Sequence, residues 1–163
     1  LVVTRPENAE GAELLGVEVN YQQQFDFLPA PFDGLGLSAN YTLVDSETTV
    51  FGRRDVLPFF RQSDELANAA LFYERGGFEG RITVAYRSPY LEILVAPGRD
   101  VYVAERTQVD LRVSYNLTDR LQLNADLLNL TGESLRTYSG DDRRVTSEER
   151  YSYSGSVGLS YRF

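Results

Sequence analysis

Three stretches of this chain of 163 residues place arginine beside aromatic side chains. The first holds Phe51-Gly52-Arg53-Arg54-Asp55 and Phe59-Phe60-Arg61-Gln62; the second holds Tyr90, Arg99, Asp100 and Tyr102. The third holds Arg136, Tyr138, Asp141, Asp142, Arg143 and Arg144. Aromatic faces stack on apolar ligand surfaces, sugar rings included, and a guanidinium offers a rigid fork to carboxylate, phosphate or phenolate oxygens. The candidate contacts to a small-molecule ligand are therefore Arg53, Arg54, Phe59, Phe60, Tyr90, Tyr102, Arg136, Tyr138 and Arg143. Each also has a plain alternative, as a solvated loop residue or as half of an Arg–Asp pair.

Catalysis has much less to work with. The chain contains no His and no Cys, which removes Ser-His-Asp and Cys-His chemistry. No enzyme is expected. Without His, Cys or Met, only oxygen-ligand cations remain open as metal ions. Asp141-Asp142 with Glu148-Glu149 supply such oxygens but lack any calcium-loop spacing, so no metal site and no cofactor are expected. The absence of Cys also rules out a disulfide frame. A net charge of −8 argues against nucleic acid as a partner.

The elements that must position these residues alternate with period two. Seven segments do so. Leu15, Val17, Val19, Tyr21 and Phe25 oppose Glu18, Asn20, Gln22 and Gln24; Leu35, Leu37, Ala39, Tyr41 and Leu43 oppose Ser38, Asn40 and Thr42. Ala67, Ala69, Leu71 and Tyr73 form a third, less clean apolar face, and Phe78, Ile82, Val84 and Tyr86 oppose Glu79, Arg81, Thr83 and Arg87. Val109, Leu111, Val113 and Tyr115 oppose Asp110, Arg112, Ser114 and Asn116; Leu121, Leu123, Ala125 and Leu127 oppose Gln122, Asn124 and Asp126. The seventh segment, Tyr151 to Phe163, alternates to the terminal Phe, so the chain is read as stopping inside its last strand.

The connections alternate in length. Leu28–Gly34, Arg75-Gly76-Gly77 and Asn116–Arg120 are short, whereas about Ser46–Ser63, Ser88–Glu105 and Thr131–Glu148 read as long loops. No run of 18 apolar residues is present, so no spanning helix is expected. Alternation alone does not say which face is covered. A soluble barrel packs its apolar face inward and wears its charges outside. Three features favour an outer-membrane plan: aromatic residues near the ends of apolar faces, alternating loop length, and the aromatic terminus. The fold is thus read as all-β, an antiparallel transmembrane β-barrel segment of about seven to eight meandering strands, with short periplasmic turns and long extracellular loops.

These segments also carry a family resemblance. Ala9–Val19 resembles the "EGxExxGxE" strand of TonB-dependent outer-membrane receptors, and Ala85–Leu91 resembles their "YRSxY" strand end. Asn116–Leu123 with Leu128–Thr131 resembles their penultimate hairpin, and Tyr161-Arg162-Phe163 their terminus. The resemblance implies a larger barrel with an N-terminal plug, ligand uptake coupled to TonB through that plug, and assembly into outer-membrane lipid by the barrel-assembly machinery, for which Tyr161 and Phe163 would be the signal. The implied ligand is a siderophore or a saccharide, the implied location the Gram-negative outer membrane.

Residues 1–163 are then expected to be the C-terminal portion of such a barrel, without plug or earlier strands. Leu1–Arg5 does not read as a signal peptide. The alternative is a small structural or passive-pore outer-membrane barrel without energy coupling, whose closure with eight strands requires a truncated first strand from Leu1 to Thr4, where Val2 and Val3 are apolar and Pro6 lacks a donor.

Overall fold

A computed structural model of the chain describes residues 11–163. The proposed N-terminal stub with Pro6, and Ala9 and Glu10 of the first motif, lie outside the described residues. All seven alternating segments are strands: β1 (Gly11–Gln24), β2 (Leu35–Thr49), β3 (Glu65–Arg75), β4 (Phe78–Arg87), β7 (Arg106–Thr118), β8 (Leu121–Leu128) and β11 (Ser154–Tyr161). They form one antiparallel sheet in chain order, β1-β2-β3-β4-β7-β8-β11. The sheet is open, with β1 and β11 at its edges. Consecutive antiparallel pairing follows from the short connections, which leave a strand no partner nearer than its sequence neighbour. The two-residue connection Gly76-Gly77 has φ of 60° and 82°, the left-handed geometry that a type I′ hairpin turn requires.

Register carries each face across the whole sheet. Asn40 faces both Asn20 and Asn68; Arg81 faces Arg112, and Arg112 faces Asp126. On the other side Val19 faces Tyr41, Tyr41 faces Ala67, and Ala67 faces Tyr86. Farther along, Val113 faces Ala125, and Leu123 lies between Tyr115 and Leu159. One face is polar and is tied by side chains, including Asn40 to Glu18 at 2.8 Å and Arg112 to Asp126 at 2.5 Å. The other is a continuous apolar surface that nothing among the described residues covers: Leu15 is 73% exposed, Val157 78% and Leu159 64%.

While the first long connection holds no strand between Thr49 and Glu65, the second and third correct the reading of them as loops. They contain β5 (Tyr90–Ile93), β6 (Val101–Val103), β9 (Leu135–Ser139) and β10 (Val145–Glu149), which pair as a second sheet in the order β10-β9-β6-β5. Each upper strand extends a lower one past a short break: β4 into β5 across Ser88-Pro89, β6 into β7 across Ala104-Glu105, β8 into β9, and β10 into β11. The order of the lower strands is kept, so the second sheet is an upper tier of the same wall. β2 also runs higher than its alternation suggested. Its upper part is partnered by the returning chain, with Val44 N–H donating to Asp64 O and a bridge between Thr48 and Leu57. Tyr151 and Tyr153 are corrected too: they precede β11, and that strand ends at Tyr161.

Burial is concentrated in the upper tier. Leu57, Leu91, Val103 and Ala104 are buried there, Leu91 completely, whereas Ala70 is the buried apolar side chain within the seven-stranded sheet among the described residues.

Candidate functional site

Two clusters order the upper tier. At the first, Gly52 (φ 81°) turns the chain after β2 and brings Arg53 back toward the wall. The Arg53 guanidinium grips two carboxylates in bidentate fashion. Nε and Nη2 donate to Asp55 at 2.8 and 2.5 Å, while Nη1 and Nη2 donate to Asp100 at 3.1 and 2.7 Å. Asp100 also accepts the N–H groups of Val95 and Ala96 at 2.8 and 3.1 Å. The hydrogen bond from Arg53 holds the Asp55 carboxyl down at about 2, and the same guanidinium, with the two backbone donors, depresses Asp100. Arg53 is raised in turn, chiefly by Asp55 and then by Asp100. Its forks are thus fully used within the protein.

The second cluster is aromatic. β6 and β9 pair so that Tyr102 stands opposite Tyr138, and the rings stack 5.5 Å apart at 13°. With Tyr90, Pro58, Gln62 and Asp64 they border a cavity of about 350 Å³. Tyr86, a member of the apolar face, also borders it, so this cavity adjoins that side of the wall. Burial raises both phenols, and burial followed by repulsion from Asp45 and Glu65 raises Asp64. Among the described residues, the side chains of Gln62 and Asp64 make no hydrogen bond. Flat tyrosine faces beside free amide and carboxylate groups can stack on a ring and accept from hydroxyls.

A second cavity, of about 480 Å³, adjoins the polar side of the wall and is bordered by Arg61, Gln62, Ser63, Leu66, Arg87 and Tyr90. Arg87 lies under the Tyr90 ring, its Cζ 4.5 Å from the ring centre. Arg61 is bound to Glu92 at 2.6 Å.

Of the residues singled out from sequence, the fold brings Tyr90, Tyr102 and Tyr138 together around one cavity. Arg54 is exposed, and Arg143 sits on the exposed turn between β9 and β10, its N–H donating to Asp141 at 2.9 Å. Phe59 is half-buried, with its N–H on Ser46 Oγ at 3.1 Å, and Phe60 bridges to Leu91. Arg136 stands in β9 opposite Glu148. Tyr161 and Phe163 make an edge-to-face pair at 5.3 Å beside the β11 edge. Sequence reading passed over Gln62, Asp64 and Arg87 as site residues. The available signal was Arg87 ending an alternating strand just before Ser-Pro-Tyr.

No curated protein and no solved structure matches the chain. A family model described as TonB dependent receptor-like, beta-barrel matches residues 2–130. That match spans β1 to β8, the strands whose register sets polar and apolar faces back to back, and the chain belongs to the TonB-dependent receptor-like β-barrel family.

Proposed function

We propose that this chain is the C-terminal part of an outer-membrane receptor that imports a scarce small molecule, with energy delivered by TonB through a plug elsewhere in the receptor. The observation that carries the reading is the uncovered apolar face of the seven-stranded sheet. In water, so large a contiguous surface would drive association; in a bilayer it is the lipid-facing belt. The polar face then lines the lumen, and the tight turns and the upper tier mark the periplasmic and extracellular ends.

The open edges support a longer receptor. Every unpaired N–H and C=O of β1 and β11 would cost several kcal/mol in hydrocarbon, so both strands need partners from the rest of a barrel. The upper tier supplies the ligand-facing part, with Tyr90, which borders the cavity on the polar side, as a contact for a siderophore or a saccharide. Assembly proceeds through the barrel-assembly machinery, with Tyr161 and Phe163 as its signal.

The test is uptake by cells carrying the full-length receptor, using labelled ferric siderophores and oligosaccharides as probes. Receptor-dependent uptake of one probe should vanish in a strain lacking TonB. Receptor-dependent uptake that persists without TonB would identify a passive pore and overturn the energy-coupled reading.

A further inference from the structure

The register of β4 and β7 places Arg87 directly opposite Arg106. Both lie on the polar face, in line with Leu66 of β3. Like charges in directly opposed positions destabilise a sheet unless something neutralises them. Nothing among the described residues does. Neither arginine takes part in an ion pair there, although Arg53, Arg61, Arg75, Arg112 and Arg150 all do. Their acceptors are neutral: Ala104 O at 3.4 Å for Arg87 and Gln108 Oε1 at 2.9 Å for Arg106.

Each also keeps a buried donor with no acceptor. Arg87 Nη1 and Arg106 Nε are the buried side-chain atoms in that state among the described residues. Two unmet guanidinium donors side by side on opposed strands need an explanation, since buried polar groups are almost always paired. The Tyr90 ring over Arg87 fixes the guanidinium plane, and the adjoining cavity on this side is bordered by Arg61 and Arg87 with no carboxylate.

We infer that Arg87 and Arg106 form an oxyanion-binding dyad at the extracellular mouth of the lumen, which takes a carboxylate or phosphate group of the imported ligand. The inference rests on the receptor reading for its lumenal placement and deepens it, because it makes the ligand anionic rather than a neutral saccharide. Unmet guanidinium donors on two directly opposed residues suit the multiple lone pairs of an oxyanion, and loss of solvent strengthens each charge-assisted bond.

The dyad is tested by calorimetric titration of the solubilised full-length receptor with inorganic phosphate and with citrate. Saturable binding of at least one probe is expected, weakened about tenfold or more in both Arg87→Gln and Arg106→Gln, the loss of one charge-assisted hydrogen bond. Arg87→Lys, which keeps the charge but not the fork, should fall between wild type and Arg87→Gln. Arg81→Gln, lower on the same face, should bind like wild type, and glucose should give no signal. Binding unchanged in both glutamine variants overturns the proposal. So does a wild type that binds neither probe while both variants lose thermal stability, because a carboxylate from the rest of the receptor then fills the dyad. Oxyanion binding that follows the two arginines, in a receptor whose uptake ignores TonB, would sink the energy-coupled reading and leave the dyad standing. TonB-dependent uptake without oxyanion binding would do the reverse.

Discussion

Arg53 holds Asp100 by two hydrogen bonds across 47 residues of sequence, and the same guanidinium holds Asp55. Both carboxyls are depressed below their ordinary value of 3.8, Asp55 to about 2. A depressed carboxyl contributes stability that is present above its ordinary value and lost as pH falls through the folded one. The clamp should therefore be intact near neutrality and fail between about pH 4 and about pH 2. Hydrogen exchange at the Val95 and Ala96 amides, which Asp100 accepts, reads this directly. Protection that persists unchanged to about pH 2 would count against the clamp. Asp100→Asn should loosen the same two amides at neutral pH.

Leu123 and Asn124 are neighbours in β8 that point to opposite faces. With the apolar face in lipid, Leu123→Arg should destabilise the assembled barrel by ~2–4 kcal/mol, and Asn124→Arg by far less. Unfolding from bilayers of both variants of the full-length receptor decides it. Equal losses would invalidate the assignment of faces.

Gly36 lies opposite Phe72 in the β2–β3 register, and the Phe72 ring lies where a Cβ on Gly36 would stand. The ring also sits 6.0 Å from the Arg81 guanidinium carbon. Gly36→Ala should push the ring off its site and cost ~1–3 kcal/mol. In a Phe72→Ala background the same change should cost much less, and the double-mutant cycle measures the difference. Additive losses would show that the ring and the glycine do not depend on each other.

Tyr161 and Phe163 pair edge to face beside an edge strand. Changing both to Ser should reduce the amount of receptor recovered in the outer-membrane fraction while synthesis continues, if the assembly machinery reads them. Full recovery would remove them as a signal.

The lower sheet was readable because its strands are long. β1, β2 and β7 run for 14, 15 and 13 residues, enough for period two to stand out against chance. β6 has three residues and β9 five, between Gly132 and Gly140, so their alternation is too brief to separate from loop sequence. The site suffers from the same problem one level up. Tyr102 and Tyr138 are plainly aromatic in sequence, but their stacking depends on β6 pairing with β9. Asp55 stands two residues from Arg53, but the second carboxylate that completes its pairing, Asp100, is 47 residues away and only the fold brings it there. Arg87 was counted as one more charge on a polar face, since only the register reveals what stands opposite it. Alternation separates two faces without saying which of them is left uncovered.

The breaks between the tiers interrupt the β4–β7 and β8–β11 hairpins, at Ser88-Pro89, Ala104-Glu105, Asn129–Ser134 and Arg150–Tyr153, whereas β2 runs unbroken to Thr49. The upper strands of these two hairpins pair with one another in a sheet separate from the one beneath. A residue inserted or lost above the break therefore does not slip the register below, where a shift of one would exchange the polar and apolar faces. The upper storey of these hairpins can thus be rewritten on an unchanged foundation.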